Sequence, residues 1–235
     1  LQDNQHENSS ALRTFAIWGI TFVVANVGAS IAISVTGYAA VDVVPTWVLA
    51  LSAFLVWIPF IGVLVWNSKA YETGNFSSDY RISFKPSDAW GIPIGVASQL
   101  FLVGLVTIPF RWLFPSTFNA ETVEKRANDL FDAAHGLWMV LLVVVVVVCA
   151  PLVEEILYRG FIQQNLSRSV GARWGLIIAS VWFAAVHLQL AEFPGLFAFA
   201  LVLGLCFVRT NRIGMSIVAH VSFNASALVV IALTR

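Results

Sequence analysis

Apolar residues in this chain come in long, nearly unbroken runs, without the alternation of a half-buried strand or the narrow stripe of a surface helix. Seven runs stand out, at about 14–35, 46–66, 89–110, 137–163, 174–190, 194–209 and 214–233. About 20 apolar residues cross a bilayer as a helix. Runs of this length and continuity exclude a transmembrane barrel, whose strands alternate. The pattern therefore predicts an all-α, polytopic transmembrane helix bundle of about seven spans. Polar punctuation separates the runs. Residues 67–88 carry Gly74, Asn75, Ser77 and Ser78, a turn signature. Segment 115–135 holds Glu121, Glu124, Lys125, Arg126, Asp129 and Asp132, interleaved with Phe118, Val123, Leu130 and Phe131. That mixture suggests a helix lying on the membrane surface. Three regions follow: a polar tail at 1–13, N-terminal membrane helices with the surface segment at 14–136, and the last helices at 137–233.

Composition agrees with the pattern. Of 235 residues, 59% are hydrophobic and 11% charged, against about 25% charged in soluble domains. Thirteen basic residues balance thirteen acidic ones, and no basic patch supports nucleic-acid binding. Cys149 and Cys206 lie inside apolar runs and read as small buried hydrophobes. Residues 1–10 contain no basic residue and do not read as a signal peptide. Basic residues in short loops set orientation. One side would hold Arg13, Lys69, Arg81, Lys85, Arg159, Arg168, Arg173, Arg209 and Arg212. The other would hold Arg111, Lys125, Arg126 and Arg235. The bias predicts an integral membrane protein with a cytoplasmic N-terminus, most simply in the plasma membrane.

The candidate chemistry lies in the last four spans. Trp138–Ala150 includes six consecutive valines and ends at Pro151, after which come Glu154, Glu155 and Arg159. A charge placed deep in a bilayer costs roughly 2.5–3.5 kcal/mol on insertion scales, so two adjacent carboxylates call for a role. Glu155 and Arg159 are helical neighbours at i and i+4, which suits an ion pair. Glu154 is turned about 100° away and is left available for chemistry. Pro151 lacks an N–H, which in an α-helix frees the carbonyl of residue 147. The fifth span carries Phe183-x-x-x-His187 and the seventh His220-x-x-x-Asn224. Glu154, His187, His220 and Asn224 together can polarise a water and stabilise an oxyanion, or hold a metal. By helical rise, His187 comes out about 7 Å deeper than Glu154 and His220; tilt or a late start of the fifth span would absorb the difference.

Glu-Glu-x-x-x-Arg, Phe-x-x-x-His and His-x-x-x-Asn, in this order on successive membrane helices, resemble the CPBP family (CAAX protease and bacteriocin-processing proteins, also called ABI). That family includes the type II CAAX prenyl endopeptidase. Tyr158-Arg159-Gly160 is similar to the aromatic-Arg-Gly often found there. The resemblance spans about residues 137–233 and implies an intramembrane endopeptidase, often labelled a metalloprotease. It implies that Glu154 and His187 activate a water, and that His220 and Asn224 form the oxyanion site. Glu155, Arg159 and Phe183 support them. It favours a mechanism that requires no cofactor; the alternative is zinc held by Glu154, His187 and His220. H-E-x-x-H, the strong zinc-protease signal, is absent. The implied partners are the bilayer and a peptide or protein substrate, with C-terminal and lipidated ends among the options.

Three other readings compete. A catalytically silent peptide-binding or immunity protein would use the same cavity. A proton-coupled transporter also buries carboxylates and imidazoles. A rhomboid-like serine protease would need Gly28-Ala29-Ser30 and His220, but Ser30 precedes five other spans. Asn26 and Gln99 in the early spans read as interhelical hydrogen-bonding groups.

Overall fold

The computed structural model describes residues 2–38, 44–119, 128–129 and 131–234; for residues 2–10 only the backbone is described. Glu121, Val123, Glu124, Lys125, Arg126 and Leu130 of the expected surface segment lie outside these. Among the described residues there is no strand. The helices are α1 (Gln2–Val35), α2 (Thr46–Tyr71), α3 (Pro86–Leu113), α4 (Leu137–Val170), α5 (Ala172–Ala185), α6 (Phe193–Thr210) and α7 (Gly214–Thr234). Six are long and apolar enough to cross a membrane, and α5 is a shorter apolar helix.

The fifth span departs from its expected bounds. At 14 residues, α5 is about 21 Å long, short of the ~30 Å hydrocarbon core. Residues 186–190, read as the end of that span, leave the helix for a turn-rich segment that runs on to residue 192. The backbone N–H groups of Val186, His187, Leu188 and Glu192 donate to the carbonyls of Trp182, Ala184, Ala185 and Gln189. Leu188 sits in the left-handed region at φ 54°. Irregular backbone at membrane depth is tolerated where protein or a cavity surrounds it. His187 thus stands on a turn beyond the helix, and helical rise does not fix its depth.

Two devices pull the bundle together around α4 and α7. Gly91 and Gly95 of α3 lie directly against the α7 backbone: a Cβ at Gly91 would come within 2.7 Å of the Ala219 nitrogen, and one at Gly95 would collide with the Ala219 carbonyl. Only glycine allows this approach, and Ala219 is next to His220. On α4, Gly160 packs on Tyr80, where a Cβ would meet the Tyr80 carbonyl at 2.9 Å. Tyr80 donates its hydroxyl to the Leu64 carbonyl at 2.7 Å and accepts from Asn67 at 3.2 Å. Burial pushes the Tyr80 phenol up to about 12. Neighbouring Asp79 accepts from Ser68 and Thr73. Burial alone would raise its carboxyl, but these hydrogen bonds, with that of the Gly74 amide, outweigh it and hold the pKa below the usual value. The loop between α2 and α3 is thereby locked to α4.

The main core joins Phe60 and Leu64 of α2 to Tyr158, Phe161, Ile162 and Phe183. Trp18 and Phe22 of α1 pack against it.

Candidate active site

α4 is wound wide in two places, at Val144–Cys149 and Ile156–Gln163, both π-helical. The first changes which carbonyl Pro151 frees. In this register the Ala150 N–H donates five residues back, to the Val145 carbonyl. The next donor belongs to position 151, where proline has none. The unpaired carbonyl is therefore Val146, and residue 147, expected from α-helical spacing, is not the one exposed. Asn224 fills the gap: its Nδ2 donates to the Val146 carbonyl at 2.8 Å. A side chain on α7 thus replaces a backbone donor that α4 lacks. This leaves the second N–H of the Asn224 amide available.

The two carboxylates differ sharply. Glu155 is fully buried and its Oε1 accepts from Arg159 Nη1 at 2.9 Å. The same oxygen accepts from His220 Nδ1 at 2.8 Å. Arg159 also donates to the Ala200 carbonyl at 3.0 Å, and its guanidinium lies 4.8 Å from the Phe183 ring centroid. One chain of contacts therefore joins α4, α5, α6 and α7. Glu154 is outside it. Its side chain is 23% exposed, and its Oε2 stands 3.9 Å from His220 Nε2. That gap is too long for a direct hydrogen bond, and a water can bridge it.

Both imidazoles are oriented through Nδ1. The His187 Nδ1 lies 2.7 Å from the Phe183 carbonyl. A carbonyl only accepts, so Nδ1 carries the proton, and in the neutral ring Nε2 is the acceptor. His220 Nδ1 faces a carboxylate in the same way, which leaves its Nε2 toward Glu154. Phe183 packs edge-on to His220, with centroids 5.9 Å apart, and lies 4.9 Å from His187. Its ring holds both imidazoles and the arginine in one packing unit.

Glu154, His187, His220 and Asn224 line a single cavity of about 750 Å³. Its opposite wall comes from the first three helices, through Phe22, Asn26, Gln99 and Thr107 among others. Asn26 donates to the Phe22 carbonyl within its own helix, so its expected part as an interhelical group is not what the structure shows. The sequence reading missed Glu192, which also lines the cavity; it lies in what looked like the connection between two spans. The link from Glu155 to His220 was missed as well, because no spacing rule connects positions 65 residues apart. No Lys or Arg among the described residues lines the cavity. Among the described residues no three His, Cys, Asp or Glu side chains converge as a metal-ligand group. Glu154, His187 and His220 as placed do not fit a zinc site.

A polytopic helical membrane protein with a carboxylate–imidazole cavity is the class that this fold and site define. Residues 136–226 match the family model described as type II CAAX prenyl endopeptidase Rce1-like. The match covers less than half of the chain; over that region the chain is similar to the CAAX proteases, which supports an intramembrane protease at the level of the family. Residues 1–135 lie outside the match. No curated protein and no solved structure matches the chain.

Proposed function

We propose that the chain hydrolyses a peptide bond within the membrane, using Glu154 as general base. The observation that carries this reading is the contrast between neighbours: Glu155 is consumed by Arg159 and His220, while Glu154 faces the cavity beside two oriented imidazoles. A water between Glu154 and His187 gives a proton to the Glu154 carboxylate. The hydroxide attacks the peptide carbonyl carbon. The oxyanion is met by His220 Nε2, which must then carry a proton, and by the second N–H of Asn224. The C–N bond breaks as the proton held by Glu154 passes to the leaving amine. Water is consumed, and one acid and one amine are formed. No step in this scheme is routed through a metal.

The substrate is a peptide or protein segment that enters from the bilayer, with lipidated and C-terminal segments as the first classes to try. The cavity bears on that choice. Among the described residues Glu154 and Glu192 line it without a compensating Lys or Arg, so a free carboxylate beside them finds no cation there. An internal or amidated segment suits it better. We place the N-terminus and the loops around 171 and 211 on the cytoplasmic side of the plasma membrane, following the basic-residue bias.

The test is reconstitution in liposomes with a farnesylated CAAX peptide, as free acid and as C-terminal amide, and with unlipidated hydrophobic peptides. Cleavage is read by mass spectrometry. Wild type should cut at least one, and E154Q should cut none. Full-rate cleavage by E154Q would remove Glu154 from the reaction.

A further inference from the structure

A second cavity, of about 220 Å³, lies at the opposite end of α4 from its valine run, lined by Arg81, Gln164, Ser167, Arg168, Ala172 and Asn211 among others. Its volume is about that of seven water molecules. Its chemistry is the reverse of the first cavity: two arginines and no carboxylate among its lining residues.

Four features of the pocket point to a ligand. Among the described residues Arg81 has no ion-pair partner; its guanidinium lies 5.6 Å from the Phe207 ring centroid. Its backbone is left-handed, at φ 54°, and its carbonyl is fixed by the Ile213 N–H at 3.1 Å. Burial, and then the nearby charge of Arg168, lower its pKa, as expected for a cation without a counter-ion. Arg168 does have partners, but loose ones: Glu72 at 3.5 Å and the Asn165 side chain at 3.4 Å. Ala172 opens the 14-residue α5, whose first-turn N–H groups have no intrahelical acceptor and whose dipole favours an anion there. Finally, Gln164 is 5% exposed; its Nε2 donates to the Asp79 carbonyl at 2.8 Å, and its Oε1 has no partner. That bond fixes the amide, so the buried Oε1 is an acceptor that calls for a donor.

We propose that this pocket binds a phosphate group that carries an adjacent hydrogen-bond donor, as the headgroup of a membrane lipid such as phosphatidylglycerol or phosphatidylethanolamine. The phosphate sits between Arg81, Arg168 and the start of α5, and the hydroxyl or ammonium of the headgroup donates to Gln164 Oε1. A choline headgroup has the phosphate but no N–H or O–H, so it satisfies only half of the site. The position supports a lipid source. The pocket lies where α4 and α6 end and α5 begins, beside the exposed side chains Val170, Trp174 and Val208. Basic pockets between membrane helices are known to take anionic headgroups. This inference rests on the membrane reading of the fold and is independent of the hydrolytic one.

The experiment uses the full chain in detergent with short-chain phosphatidylglycerol, phosphatidylethanolamine, phosphatidylcholine and inorganic phosphate added separately. Occupancy is read by native mass spectrometry and thermal protection. Phosphatidylglycerol and phosphatidylethanolamine should bind several-fold better than phosphatidylcholine. R81Q should lose binding of all three, and Q164L should lose the preference while keeping a weaker, less selective site. Circular dichroism and size exclusion check that both variants are folded. Inorganic phosphate protecting as well as the lipids, with protection lost in R81Q, would keep the phosphate site and assign it to a soluble phosphate. Equal binding of the three lipids, or undiminished binding by R81Q, would overturn the proposal.

Discussion

The two halves of this bundle use polar groups in opposite ways. From α4 to α7, several buried polar side chains bond across helices: Glu155 to His220, Arg159 to the Ala200 carbonyl, Gln163 to the Gly204 carbonyl, Asn224 to the Val146 carbonyl. From α1 to α3, Asn26, Ser52 and Thr107 of the cavity wall bond within their own helices, to the carbonyls of Phe22, Leu49 and Val103, while Thr46 reaches the Ala133 carbonyl. The second half therefore spends its polar groups on fixing geometry, and the first half supplies shape. A cavity needs both. On the proposed function, the C-terminal helices hold the reacting groups in register, and the N-terminal helices close the space for a substrate.

The comparison predicts that the largest loss of stability comes from the second half. Glu155→Leu leaves the Arg159 guanidinium buried without its carboxylate, at a cost of about 3–5 kcal/mol, measurable by denaturant unfolding in mixed micelles. Asn224→Ala comes next. It strands the Val146 carbonyl, which costs about 1–3 kcal/mol. Pro151→Ala restores an N–H at the position where the π register needs one, so Asn224→Ala in that background should cost little. Full additivity of the two substitutions would break the account of why Asn224 points where it does.

These two residues also show what could be read beforehand and what could not. The membrane helices were legible because a bilayer demands long apolar runs, and the three motifs were legible because i, i+4 spacing puts their members on one face. The separation of Glu154 from Glu155 followed from the same geometry. The freed carbonyl was misassigned by one residue, because α-helical counting does not foresee a π-turn. The depth expected for His187 assumed a helix running through it, whereas α5 stops at Ala185; nothing in an apolar run marks where a helix ends inside a bilayer. The bond from His220 to Glu155 depends on how α7 packs on α4. On its other side α7 is held against α3 by Gly91 and Gly95, whose meaning appears only once the Ala219 backbone is seen against them.

In the first half, substitutions should touch binding more than folding. Gln99→Leu changes the cavity wall without breaking a cross-helix bond. Stability should stay within about 0.5 kcal/mol, while KM for any cleaved peptide shifts several-fold and kcat does not. A fall in kcat alone would move Gln99 into the reacting group. The smallest effect is expected at Asp79, in the loop between α2 and α3. Its folded pKa lies below the ordinary carboxyl value of 3.8, so the ionised form favours the fold. That contribution is complete above the unfolded carboxyl range and is lost as pH falls through the lowered folded value. Asp79→Asn should therefore lower the melting temperature slightly at neutral pH, and the difference from wild type should shrink below pH 3.8.

The central claim is that adjacent carboxylates do different work. The most direct measurement compares E154Q and E155Q in the same liposomes, reading peptide cleavage and thermal unfolding together. E154Q should lose cleavage and keep its melting temperature; E155Q should lower the melting temperature, because it weakens the bonds from Arg159 and His220. The reverse pattern, with E154Q destabilised and still active, would contradict the account.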